Sequence, residues 1–191
     1  MKALLSLLNT IPEYSAALES LRNQESAAIT GVGQINRSHM IAALQQDLNT
    51  PMVVICQDDL AARRLQEELK DFLSQSFPIL PSRDLTLYDA VVSRSWEQQR
   101  LRQLYDLAAG TVKLQIMTWE SLSLRTIPPK TLKQAAFVLK TGEEYPQEEL
   151  ISRLIAAGYS RCGMVEGSGQ FSVRGGIMDI FFSRRGSAGP C

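Results

Sequence analysis

Apolar residues recur every three to four positions in long stretches of this chain and alternate or run together in several short ones, which is the pattern of helices interleaved with strands. Leu4, Leu5, Leu7 and Leu8 share one side of an opening helix. A second, from about Pro12 to Arg22, carries Tyr14, Ala17, Leu18 and Leu21 and is expected to pack on the domain after it. Ala27 to Thr30 is a brief apolar run that reads as a strand, followed by a glycine-containing turn and a helix from about Arg37 to Leu48 with Ile41, Leu44 and Leu48 at helical spacing. Met52 to Cys56 is continuously apolar and suits a strand buried on both faces of a parallel sheet. Gln57-Asp58-Asp59 ends it and caps the next helix, which runs to about Ser74 with Ala61, Leu65, Leu69 and Phe72 inward. Its outer face sets Arg63 against Glu67 and Arg64 against Glu68, a solvated surface.

The alternation continues. Phe77 to Leu80 reads as a strand, and Ser95 to Gln98 has the form of a capping box ahead of a helix through Leu101, Leu104, Tyr105 and Ala108 to Gly110. Leu114 to Thr118 is the next strand, followed by a short helix on which Trp119, a candidate interface hot spot, reads rather as a packed core tryptophan. This order predicts a parallel sheet covered by helices on both faces. Ile127-Pro128-Pro129 breaks the rhythm and marks a boundary. Beyond it, Ala135 to Lys140 reads as a strand. A helix opened by Pro146 turns Leu150, Ile151, Leu154 and Ile155 inward and stops at Gly158. Two alternating segments around Gly175-Gly176 then form a hairpin, with both glycines at positive φ and the strand Ile177 to Phe182 covered on both sides. The expected organisation is N-terminal helices over 1–26, an α/β domain over 27–126, a small, incomplete α+β domain over 127–182 whose strand Ile177 to Phe182 is left as an exposed apolar edge, and an atypical polar tail over 183–191.

Composition narrows the chemistry. Twenty basic and twenty acidic residues give a formal net charge of +0 over 191 residues, so a charged partner must be met by a local patch. Three cysteines without CxxC spacing and a single histidine, His39, do not make a four-ligand zinc site, and thiols kept reduced in a cytoplasm are the simplest reading. His39 itself reads as an ordinary surface or core histidine. The first residues lack a signal-peptide pattern, and no apolar run approaches the roughly 20 residues of a membrane span.

The turn after Thr30 has the layout of a phosphate-binding loop, in which backbone N–H groups cradle phosphates at a helix N-terminus. With Gly31 as the first glycine and Gly33 inside the loop, Asn36 replaces the second glycine, Arg37 replaces the lysine, and Ser38 alone fits. Asn crowds the phosphate space, and Arg substitutes poorly for a compact lysine charge. The expected reading is a degenerate loop that binds no nucleotide, with no cofactor, no metal and no catalytic residue.

The most specific string is GYSR at 158–161 followed by GQFSVRGGIMDIF at 169–181. It resembles domain 2 of the bacterial transcription-repair coupling factors, relatives of the same domain in UvrB. RDLTLYDAVVS at 83–93 and TWESL at 118–122 resemble further stretches of that family. The resemblance implies a degenerate RecA-like first domain without the DNA-clamping hairpin of UvrB, and a second domain that docks UvrA through residues 158–182. It carries over Arg161, Phe171 and Arg174 as docking residues; the alternatives are solvated strand charges for the arginines and a core position for Phe171. Ser172 stands where UvrB has a further arginine, and the polar tail stands where the family continues its sheet. Contacts with RNA polymerase and DNA would belong to other parts of the family protein. Two readings from other classes stay open: a UvrB-like ATP-dependent helicase, and a regulatory α/β domain that binds an anion at Gly31.

Overall fold

The computed structural model describes residues 2–82 and 94–181. They divide into two compact units, one of residues 2–82 with 110–124 and the other of 94–109 with 125–181.

The first unit begins with α1 (Lys2–Ser6), a 3-10 turn over Leu7–Thr10, and α2 (Pro12–Arg22), which starts on a proline whose missing N–H costs nothing at that position. Then come α3 (Gln34–Leu48), β1 (Met52–Cys56) and α4 (Asp59–Leu73). The Asp58 carboxylate accepts from the Ala61 N–H at 2.7 Å and so satisfies one of the free donors of the first turn of α4. After residue 109 the chain adds β2 (Leu114–Thr118) and α6 (Trp119–Ser123), the latter held by a reciprocal capping box between Thr118 and Ser121. β1 and β2 pair in parallel, Met52 with Leu114 through Cys56 with Thr118. Ile79 bridges Ile116 from the other side of β2. β2 is therefore central, and all five of its residues are buried. Leu5, Tyr14 and Leu18 of the opening helices share one core with Leu65 and Leu69 of α4 and with Ile116. Each such leucine withdraws enough apolar surface to contribute about 1.5–3 kcal/mol.

The second unit holds α5 (Arg94–Ala108), α7 (Pro129–Ala135), α8 (Gln147–Ala156) and a three-stranded sheet of β3 (Ser160–Arg161), β4 (Gln170–Arg174) and β5 (Ile177–Ile180), in that spatial order. α8 ends in a Schellman motif: Gly158 takes φ +86°, its N–H meets the Ile155 carbonyl at 2.9 Å, and the Tyr159 N–H reaches the Leu154 carbonyl at 2.9 Å. This closure turns the chain directly into β3. β3 pairs with β4 in parallel and β4 with β5 antiparallel.

Several expectations from periodicity are corrected. Ala27 to Thr30 is exposed and forms no ladder among the described residues, because an apolar run becomes a strand only beside a neighbour. β1 is covered on one face only: Val53 and Ile55 are each 50% exposed, while Met52, Val54 and Cys56 pack on the core. The expected sheet with helices on both faces is, among the described residues, a parallel pair with one bridging residue. Ala135 to Lys140 is not a strand; Pro129 starts α7, which runs to Ala135, and the rest joins no ladder. Trp119 is 65% exposed rather than packed, and Ile155 points outward. Among the described residues β5 is the outer strand of its sheet, as expected of an incomplete domain, and Ile177 is exposed, so the strand is not covered on both sides. Of the turn glycines only Gly175 has positive φ, which is the requirement of a type II′ hairpin rather than a type I′ one. The stretch 83–93, the side chain of Ser95 and residues 182–191 lie outside the described residues.

Candidate protein-docking site

The hairpin is fixed from three directions. Gly175 at φ +60° makes the tight turn, and its carbonyl accepts from the Gln147 side chain at 3.0 Å, tying the turn to the start of α8. At the other end, Gln170 folds its amide oxygen under the preceding loop and accepts from the Glu166 and Gly167 N–H groups at 2.9 and 3.1 Å. The Ser172 hydroxyl donates to the Gly163 carbonyl at 2.9 Å. Gly169 sits at φ +76°, where a Cβ would overlap the side chain of Gln98 on α5. Only glycine meets both demands there.

Register decides which side chains share a face. Phe171 pairs with Ile180 and Val173 with Met178, so these four look to one side of the sheet; Ser172 pairs with Asp179 and Arg174 with Ile177, so these look to the other. Arg161 pairs with Phe171, which places it by alternation on the face opposite Arg174. The structure thus keeps the two arginines apart. The Arg161 side chain is exposed on the outer strand β3, with no ion pair among the described residues. Arg174 is 67% exposed and lies 2.5 Å from the Asp179 carboxylate, itself 43% exposed.

Phe171, the third residue assigned to docking from the sequence, is 0% exposed. Its ring is enclosed within the second unit, so this structure does not present it on the surface. On the hairpin, the exposed large apolar side chains among the described residues are instead Ile177, at 67%, and Phe181, at 43%. An open depression of about 690 Å³ runs along β5, lined among others by Leu139, Met164, Met178 and Phe181 together with Arg174 and Asp179. The sequence showed Asp179 only as the one polar residue of its strand. The signal that finds its role is the two-residue turn, which makes Arg174 and Asp179 diagonal neighbours on one face.

The glycine turn of the first unit carries a different message. α3 begins at Gln34, so Asn36, Arg37 and Ser38 already lie in its opening turns, and the Asn36 N–H donates to the Gly33 carbonyl at 2.9 Å. Gly31 turns at φ +78°, and Ser38 is buried. No strand feeds this turn, so the strand, loop and helix layout of a phosphate cradle is not formed. The cleft of about 450 Å³ beside it is lined by two guanidinium groups, Arg37 and Arg64, and two carboxylates, Asp58 and Glu68. His39 is held by packing: its ring stacks on Phe72 with centroids 5.2 Å apart, and its Nε2 lies 3.0 Å from the Leu4 carbonyl.

Residues 137–188, which contain the hairpin and most of its supports, match the family model described as the UvrB interaction domain. Over 177 residues, 88% of the chain, it is 28% identical to the transcription-repair-coupling factor of Myxococcus xanthus. The chain is related to the transcription-repair-coupling factors. The proteins of that name from Bacillus subtilis and Staphylococcus aureus are 28% identical over 165 residues and 26% over 166, covering 85% and 86% of the chain. The match spans only 14–15% of the length of these relatives. The likeness is to the N-terminal, UvrB-like region of the family. Among the described residues, no helix is long and apolar enough to cross a membrane.

Proposed function

We propose that this chain is a non-catalytic recruiting module of a transcription-repair-coupling factor, one that docks UvrA in the cytoplasm through the sheet of its second unit during nucleotide excision repair. The observation that carries the reading is the coincidence of the UvrB interaction domain match with a hairpin whose exposed face offers a guanidinium beside apolar side chains, the composition of an interface hot spot. Arg174 is the central contact and Arg161 an outlying one. In this reading Phe171 supports the sheet from beneath. The first unit is a RecA-like remnant in which Gly31, Gly33, Asn36, Arg37 and Ser38 hold no nucleotide, and RNA polymerase and DNA are met by other regions of the family protein.

The test is capture of purified UvrA by the chain and by Arg161→Glu and Arg174→Glu, singly and together. Because the two residues lie on opposite faces, their losses should add in free energy within about 0.5 kcal/mol. Unaltered capture by the double variant removes both arginines from the interface. A fluorescent ATP analogue should show no saturable binding; saturable binding that Arg37→Ala abolishes would favour the ATP-dependent reading instead.

A further inference from the structure

Resting on the docking reading above, we infer that Asp179 is a positioning residue that holds the Arg174 guanidinium in the orientation its partner meets. Arg174 stands at the last position of β4, beside the turn, where a long side chain would otherwise sample many rotamers. Two features take that freedom away. The turn is rigid, through the positive φ of Gly175 and the hydrogen bond from Gln147 to the Gly175 carbonyl, so the Cα atoms of residues 174 and 179 are fixed relative to one another. Across this diagonal, Asp179 Oδ2 accepts from Arg174 Nη2 at 2.5 Å. The carboxylate accepts only, and it engages one edge of the planar fork. The other N–H donors belong to a side chain that is 67% exposed and shares its face with Ile177.

Three consequences separate this role from that of an ordinary surface ion pair. First, an isolated exposed pair contributes little to stability, so loss of Asp179 leaves the fold standing. Second, the pair has no net charge, so it does little to steer an approaching partner; its effect belongs to short-range geometry and hence to the dissociation rate. Third, fixing a flexible arginine before binding removes an ordering cost that binding otherwise carries, which corresponds to about three- to tenfold in affinity. The chemistry this selects on the partner is a carboxylate that can take two parallel N–H bonds from the free side of the fork.

The experiment measures association and dissociation of the whole chain with purified UvrA, for the unaltered protein, Asp179→Asn, Asp179→Glu, Arg174→Gln and the Asp179→Asn/Arg174→Gln pair, with melting temperatures alongside. The expected result is about three- to tenfold weaker binding for Asp179→Asn, mainly through faster dissociation, at an unchanged melting temperature. Asp179→Glu, which keeps the charge, should recover part of the loss. In the Arg174→Gln background Asp179→Asn should have no further effect, because there is no fork left to position. Unchanged or tighter binding by Asp179→Asn overturns the inference, as does a loss that persists undiminished in the Arg174→Gln background. If Arg174→Gln weakens binding while Asp179→Asn does not, this inference alone falls. If the unaltered chain does not bind UvrA at all, the docking reading fails and takes the inference with it.

Discussion

Truncating Phe171 to Ala separates a core residue from a contact residue. Among the described residues, Leu154 and Phe171 are the buried apolar side chains of the second unit, both at 0% exposure. An aromatic ring withdraws about 150–250 Å² from water, and at about 25 cal/mol per Å² that corresponds to about 4–6 kcal/mol. Measured truncations of this kind cost about 3–5 kcal/mol, the lower figure reflecting partial collapse around the hole. Domain stability is about 5–15 kcal/mol, so a loss of this size is a large fraction of it. Phe171→Leu, which keeps an apolar body, should cost about 1–2 kcal/mol. The assay is hydrogen exchange of the β4 and β5 amides in the whole chain, because two units need not unfold together and a single melting curve could blur them. Protection should fall by about a hundredfold or more in Phe171→Ala, at about 1.4 kcal/mol per factor of ten, and UvrA capture should fall in step with it. Full protection combined with lost capture would refute the reasoning and return Phe171 to the interface.

Two further outcomes concern the first unit. Trp119→Ala should leave its unfolding free energy in urea titrations within about 0.5 kcal/mol of the unaltered chain, since the indole is mostly in water; a loss near 3 kcal/mol would show that it is packed. Tyr14 predicts alkaline sensitivity. Burial, then the 2.8 Å hydrogen bond its hydroxyl donates to Asp47, pushes its pKa well above the ordinary tyrosine value near 10. Its folded pKa therefore exceeds the unfolded one, so its contribution is complete below about pH 10 and is lost as pH rises toward the folded value. Tyr14→Phe should cost about 0.5–1.5 kcal/mol at neutral pH and flatten the decline above pH 10; an unchanged slope in urea titrations at pH 9 to 11 would count against the assignment.

What could be read from the chain is what local chemistry dictates. The polar cap at 57–59, proline at the start of α2, glycine after α8 and the Gly175 turn each act on backbone groups within a few residues, and each element forms where those signals stand. What could not be read depends on neighbours distant in sequence. The runs 27–30 and 135–140 have the composition of strands, but no ladder partner stands beside them among the described residues. Val53, Ile55 and Trp119 are as apolar as their buried neighbours, and only the placement of α4 and β2 decides which side faces solvent. At the candidate site, alternation alone placed Arg174 opposite Phe171. That Phe171 is fully enclosed, that Arg161 shares its side, and that Asp179 meets Arg174 required the register of three strands.

The segment 94–109, which carries α5, groups with the strands beyond 125 although residues 110–124 of the other unit intervene in the chain. During synthesis α5 therefore emerges before β2 has completed the first unit and before α7, which it contacts within the second, has been made. Each half holds material the other half's polypeptide runs through, so no single cut yields both units whole.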